Sequence, residues 1–294
     1  MTISDQTYEI EKGPPAIDFR TYKENLLVEY RALLDSAEHE NELQDFLERH
    51  PSLVPGAFTP GNQSGHSPRN NALFSQPKLP GFGGKVPDFL WLSGHSSCDY
   101  AALIEIECPT KKLFTNDGQQ RAEFSQAYNQ IKDWRIWFET SANKQIFFDH
   151  YGLSGRYRFS RAFDLHFILI YGRRSEFQDN PSLSIKRNSL MSGRNEELIS
   201  FDRLMPHDWL ESATTVVNKG MAELEVKFVP ETFLIHPWDI RYQLEMKGLA
   251  DAIQGNPRID ASRREFLLRR LVYWREWKER TKDSSPIMKL SDFE

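Results

Sequence analysis

Leu103-Ile104-Glu105-Ile106-Glu107-Cys108-Pro109, preceded a short way upstream by Val86-Pro87-Asp88-Phe89-Leu90, is the stretch on which the reading of this chain turns. A β-strand sends successive side chains to opposite faces, so Ile104, Ile106 and Cys108 share one face and Glu105 and Glu107 the other. Two carboxylates about 7 Å apart on a strand between apolar segments repel each other and cost desolvation unless a cation or water compensates them. An edge strand with one wet face shows the same alternation, and the strand alone leaves both readings open. Asp88 closes a Pro-Asp pair at the head of a second apolar run, Phe89-Leu90-Trp91-Leu92. The turn-rich Ser93-Gly94-His95-Ser96-Ser97-Cys98-Asp99 between the runs predicts a hairpin, whose antiparallel pairing brings Asp88 toward Glu105 or Glu107. Such a set of hard oxygen donors suits Mg²⁺, or Mn²⁺ in its place, rather than zinc.

Downstream, Pro109 ends ladder pairing and Asn116-Asp117-Gly118 marks a turn, so a helix is expected from about Gln119 to Thr140. Phe124, Ala127, Tyr128, Ile131, Trp134 and Phe138 recur along it at three- and four-residue spacing, a stripe for docking on the sheet. Leu165-His166-Phe167-Ile168-Leu169-Ile170-Tyr171 reads as the best buried central strand, Leu73-Phe74 as part of a first strand and Leu198-Ile199-Ser200-Phe201 as an additional one. Upstream, residues 1–17 form an irregular arm with Gly13-Pro14-Pro15. Thr21-Tyr22-Lys23-Glu24 has capping-box spacing ahead of an apolar stripe, and a second helix around residues 40–49 stops at Pro51. The long connection over residues 55–86 is rich in Gly, Pro, Asn and Ser and sits where substrate contact or disorder would both account for it. From about residue 211 the chain reads as an extension. Glu223-Leu224-Glu225-Val226-Lys227-Phe228-Val229 is a strand, and Ser262-Arg263-Arg264-Glu265 has the spacing of a capping box opening a long basic helix.

Pro87-Asp88 followed by Glu105-Ile106-Glu107 resembles the PD-(D/E)XK nuclease superfamily. The wider succession resembles the nuclease domain of Shedu anti-phage immune proteins: Glu42-Leu43-Gln44-Asp45-Phe46-Leu47-Glu48-Arg49-His50-Pro51, Ile104 to Glu107, Pro109-Thr110-Lys111-Lys112-Leu113-Phe114, Gln130-Ile131-Lys132-Asp133-Trp134, and Ile168-Leu169-Ile170-Tyr171-Gly172-Arg173-Arg174. The resemblance covers roughly residues 40–210. It implies an α/β fold with a restriction-endonuclease-like mixed β-sheet flanked by helices. The expected organisation is an N-terminal arm and helix over 1–39, the nuclease domain over 40–210 and a C-terminal extension over 211–294 packed on it. It further implies a homo-oligomer, dimer or tetramer, and a metal-dependent DNA endonuclease acting on double-stranded DNA in anti-phage defence. In that reading Asp88, Glu105 and the Ile106 backbone carbonyl hold Mg²⁺, Glu107 is a third ligand or a base, and Gln130 orients water or phosphate. The pair Gln130/Trp134 resembles the Gln-x-x-x-Tyr helix motif of some superfamily members. Glu42 is an accessory candidate, since an acidic residue of the opening helix joins the site in some of them.

One departure bears on mechanism: position 107, where the superfamily usually carries lysine, is Glu. A glutamate cannot act as a cation toward phosphate. Lys111 and Lys112, just past the strand end, are candidates to return positive charge, and two solvated loop lysines are the ordinary alternative. A catalytically degenerate DNA-binding or sensing protein that keeps the nuclease fold is therefore the competing reading.

The 294 residues carry a formal net charge of −5, so no general positive field draws the chain to DNA. Contact would fall to local patches: Lys111/Lys112, Arg173/Arg174, and the terminal helix with Arg263, Arg264 and Arg270. On that helix Glu265, Glu276 and Glu279 intervene, so a solvated face around an oligomer contact is the other reading. A mean hydropathy of −0.59 and the lack of any apolar run near about 20 residues argue against a membrane span. With two cysteines in no metal-ligand spacing and no basic, apolar start, a reduced cytoplasmic setting is expected. No Gly-rich phosphate loop, locally supported Ser-His-Asp set or internal repeat is present.

Overall fold

The computed structural model describes residues 8–58, 68–84, 86–154, 161–237, 239–281 and Glu294. Of the two irregular segments expected, residues 1–7 of the arm and 59–67 and 85 of the long connection lie outside the described residues.

The apolar runs assemble into a seven-stranded mixed sheet. The strands are β1 (Pro68–Ser75), β2 (Phe89–Gly94), β3 (Cys98–Ile106), β4 (Ala162–Ile170), β5 (Glu196–Ile199), β6 (Thr214–Asn218) and β7 (Leu224–Phe228), in the order β5-β4-β3-β2-β1-β6-β7. The expected hairpin is present: β2 and β3 pair antiparallel with Phe89 opposite Ile104 and Trp91 opposite Ala102. β4 lies parallel to β3, with Glu105 opposite Leu169, and β5 parallel to β4. β3 is thus an interior strand covered on both faces, not an edge strand with one wet face. β6 pairs parallel to β1 and β7 antiparallel to β6, so the part of the chain beyond residue 211 contributes two strands to the same sheet.

Alternation sorts the strand residues into two cores. Leu73, Phe89, Trp91, Ala102, Ile104, Ile106, Ile168 and Ile170 pack with the two N-terminal helices, α1 (Phe19–Ser36) and α2 (Glu40–Arg49). Phe74, Leu90, Leu92, Leu103, Phe167, Leu169 and Tyr171 share the other cluster with α3 (Ala122–Glu139) and α4 (Ser141–His150). The same cluster takes in residues of the terminal helices, which follow the short α5 (Pro181–Asn188): α6 (Ile240–Gln243), α7 (Leu249–Gly255) and α8 (Ala261–Arg280). The expected stripe on α3 is buried at Phe124, Ala127, Ile131, Trp134 and Phe138, joined by Trp137, with Tyr128 half-buried. Gly56, at φ +104°, crosses the α1/α2 face so closely that a Cβ there would lie 3.0 Å from the Ala102 methyl.

Two helix starts differ from the spacing-based expectation. α1 is capped by Asp18, whose carboxylate accepts from the Thr21 N–H at 3.0 Å, and α8 by Asp260, which accepts from the Ser262 N–H at 2.8 Å. In both cases an aspartate a few residues earlier outcompetes the Thr or Ser, since an anionic acceptor at a helix N-terminus is also favoured by the dipole. A buried polar tie fixes α2 to the sheet. Glu48, 1% exposed, takes hydrogen bonds from Ser75 Oγ and, at 3.2 Å, Gln44 Nε2, and pairs with Lys227 Nζ at 2.6 Å.

The arginines of α8 correct a sequence-based expectation. Arg263 is 2% exposed, donates to the Phe233 carbonyl at 3.0 Å and pairs with Glu294. Arg270 is 3% exposed, donates to the Glu9 carbonyl at 2.6 Å and lies over the Tyr273 ring. Arg264 donates to the carbonyls of Asn256 and Ile259, both at 2.8 Å. A guanidinium buried this way has turned its donors to backbone oxygens and cannot meet a DNA phosphate. Arg263→Ala is expected to cost about 3–5 kcal/mol of stability in urea unfolding, because the Glu294 carboxylate and the Phe233 and Pro14 carbonyls lose their donor. Unaltered stability would show that this network contributes little.

Candidate functional site

At the end of the sheet where β3 finishes, the ladder is closed by a side chain. Pro87 ends the upstream extension, the Asp88 N–H donates to the Ile104 carbonyl at 3.1 Å, and the Ile106 N–H donates to Asp88 Oδ2 at 2.8 Å. A carboxylate replaces the next backbone acceptor and is thereby fixed beside the strand. Alternation puts Glu105 and Glu107 on the α3 face, opposite Ile104 and Ile106, and Asp88 joins them there. Glu105 is 6% exposed. Its Oε1 accepts from Gln130 Nε2 on α3 at 2.5 Å, while its Oε2 is buried with no hydrogen-bond partner. One turn beyond Gln130, Trp134 is fully buried and anchors the helix over the site.

Burial, and then mutual repulsion, govern the protonation of this pair. Burial holds the Asp88 carboxyl well above its ordinary 3.8, up to about 7; the Ile106 hydrogen bond opposes that, while the negative charges of Glu40 and Glu107 add to it. Glu105 is likewise raised well above the usual carboxylate range, by burial first and by the charges of Asp88 and Glu107 next. The pair therefore resists full ionisation unless a cation arrives.

Glu107, 8% exposed, is turned to a different partner: Lys111 Nζ makes an ion pair with Glu107 Oε2. The charge of Glu107 acts on Asp88 and Glu105 as well. Lys112 is exposed. Burial works against the Lys111 charge, but the hydrogen bond and charge of Glu107, with Glu40 behind it, raise its pKa overall. Glu42, the accessory candidate, is exposed and caps its own helix, accepting from the Glu38 and His39 N–H groups at 2.9 and 2.8 Å. The acidic residue of α2 whose charge reaches the site is Glu40, two positions earlier. Helical phase was the available signal, since residues two apart point about 200° from each other. Arg173 is engaged by Asp202 at 2.9 Å, Asp35 at 3.2 Å and the Leu34 carbonyl at 2.8 Å, which ties β4 to α1 and removes it from the DNA-contact candidates. The Arg174 side chain is exposed. Tyr171 lies on the same face just past β4 with a buried hydroxyl that has no partner, a polar atom hidden within a run that reads as pure core.

Among the described residues no three His, Cys, Asp or Glu side chains form a ready-made metal cluster. Asp88 and Glu105 do fit a hard divalent cation: their protons are held by burial and repulsion, and Glu105 Oε2 is an unpartnered acceptor. Mg²⁺ commonly keeps several waters and takes only one or two carboxylates from a protein.

A family comparison covers this region. Residues 37–205 match the family model described as Shedu protein SduA, C-terminal. The chain belongs to the Shedu family. Membership suggests a role in anti-phage defence. The matched span begins just ahead of α2, takes in every residue of the site, and ends before β6. No curated protein matches the chain. No described helix of this Shedu chain is long and apolar enough to cross a membrane.

The raised carboxyls predict an inverted pH dependence of stability without metal. A group protonated more readily in the folded state gives ν_N > ν_U, so stability falls as pH rises from about 4 through the Asp88 pKa near 7. Thermal melts in EDTA are expected to show Asp88→Asn gaining on the wild type between those limits, and Mg²⁺ lifting only the wild type. A gain independent of pH would show that the carboxylates do not repel.

Proposed function

We propose that this chain is a metal-dependent DNA endonuclease of an anti-phage defence system, hydrolysing phosphodiester bonds at the Asp88–Glu105 site. The observation that carries the reading is the buried carboxyl pair of Asp88 and Glu105, side by side at a strand end inside the family-matched span. Asp88 and Glu105 would hold Mg²⁺ or Mn²⁺, with the Ile106 carbonyl as the expected backbone ligand. The cation, when bound, supplies Lewis-acid activation of water and neutralises charge on the phosphate. In the hydrolysis a water oxygen bonds to phosphorus, the bond from phosphorus to the leaving sugar oxygen breaks, and the proton lost by water is balanced by the proton the leaving oxygen gains. Gln130, bonded to Glu105 Oε1, holds that carboxylate in one orientation and would leave its other oxygen to a bound cation. Double-stranded DNA is the proposed substrate, with Lys112 and Arg174 among the exposed basic groups that would meet it; a homo-oligomeric assembly belongs to the same proposal.

Cleavage of linear and circular DNA with Mg²⁺, Mn²⁺ or EDTA tests this. Glu105→Gln is expected to lose at least on the order of 10²-fold in rate, and Gln130→Ala roughly 10–100-fold, with more Mg²⁺ needed to saturate the reaction. The second reading, a nuclease-fold DNA sensor without catalysis, is favoured by Glu at position 107. Metal-independent DNA binding with no cleavage, and full protection of cells by Glu105→Gln, would establish it instead.

A further inference from the structure

The site carries more negative charge than one divalent cation offsets. Beyond Asp88 and Glu105, which that cation would share, the carboxylate of Glu107 adjoins the site, and an incoming phosphodiester is itself an anion. Attack by water then adds charge to the non-bridging phosphate oxygens. The ammonium in contact with this carboxylate set is Lys111, paired with Glu107 and with 39% of its side chain open to solvent. It is therefore fixed at one end and accessible at the other.

Its placement is built by the turn after β3. The Lys111 N–H donates to the Cys108 carbonyl at 3.0 Å, which folds residue 111 back over residue 107. Gly172, at φ +63°, presses against the same turn; a Cβ there would lie 2.8 Å from the Lys111 carbonyl oxygen. Beyond it, Glu176 accepts from the Leu113 and Phe114 N–H groups at 2.9 and 2.8 Å. Backbone contacts thus pin the lysine's segment on both sides, a degree of support that a freely solvated loop lysine does not require.

We propose that Lys111 is a catalytic residue of this site: its ammonium, aimed by Glu107, binds a non-bridging oxygen of the attacked phosphate and offsets the charge that builds there. It stays protonated throughout and exchanges no proton in the step. Glu107 is a positioning residue. The assignment rests on the hydrolytic reading above and adds to it which cation, from which part of the chain, meets the substrate. It also carries a consequence for the strand itself: an ammonium placed directly at position 107 should make Lys111 dispensable.

The test uses the full-length chain, single-turnover cleavage of one duplex with saturating Mg²⁺, binding of that duplex with Ca²⁺ in place of Mg²⁺, and thermal melts of every variant. Lys111→Met is expected to cut about 10²–10³-fold more slowly at saturating DNA, with affinity changed less than about threefold. The double variant Glu107→Lys/Lys111→Met should regain about tenfold or more over Lys111→Met alone. If Lys111→Met proves too unstable to assay, Glu107→Gln, which releases the ammonium, should lower the maximal rate without changing affinity, and an unchanged rate overturns the proposal. Lys111→Met cutting as fast as wild type, a loss confined to DNA affinity, or no recovery in the double variant overturns it equally. Cleavage by wild type that Glu105→Gln abolishes and Lys111→Met leaves intact refutes the lysine alone. No metal-dependent cleavage by wild type refutes the hydrolytic reading and this assignment with it.

Discussion

The hydrogen bond from the Ile106 amide to the Asp88 carboxylate is the constraint around which the site is arranged. It lets the β2–β3 ladder end on a side chain where Pro87 could not continue it, and it leaves that side chain beside Glu105. The sheet then supplies the burial, because β3 is interior and both its faces are covered. Burial drives both carboxyls toward their protonated forms and makes the pair costly to ionise without a compensating cation. The same packing that stabilises the fold thus makes these two residues costly to keep ionised, a conflict commonly found at functional sites.

Elsewhere the molecule resolves its charges internally. Arg263 and Arg270 are buried against backbone oxygens, Arg173 joins α1 to the segment after β4, and Lys227 is drawn to Glu48. These are interior fastenings between distant parts of the chain. With a net charge of −5 no general positive field attracts a polyanion, so cations close to the carboxylate site weigh most. Lys111, paired with Glu107, is one of them.

Much of the fold was legible because alternation and helical spacing are local properties. The β2–β3 hairpin, the strand after residue 162, α2 and the stripe on α3 all stand where the pattern of apolar residues puts them. β6 escaped because Thr214-Thr215-Val216-Val217-Asn218 is short and half polar, and it is a strand through its pairing with β1 and β7. α4 and α5 escaped for a related reason: neither carries a regular apolar stripe, and α5 buries no residue. At the site, residue types pointed to Asp88, Glu105 and Gln130, and these three side chains do meet. Glu40 and Glu42 point to different sides of α2, and Glu40 shares the side of the buried Leu43 and Leu47.

The sequence by itself determined that two glutamates share one face of a strand, that an aspartate heads the strand paired to it, and that a lysine is missing from the position after Glu105-Ile106. Those follow from a period of two residues and from residue identity. Only the tertiary structure decided that this strand is interior, that Arg263 and Arg270 of α8 are buried, and that Glu107 is paired with Lys111. A turn pinned by Gly172 and Glu176, residues more than sixty positions along the chain from Lys111, sets that last contact. Through-space partners of this kind leave no periodic trace, because the chain brings them together only when the sheet closes.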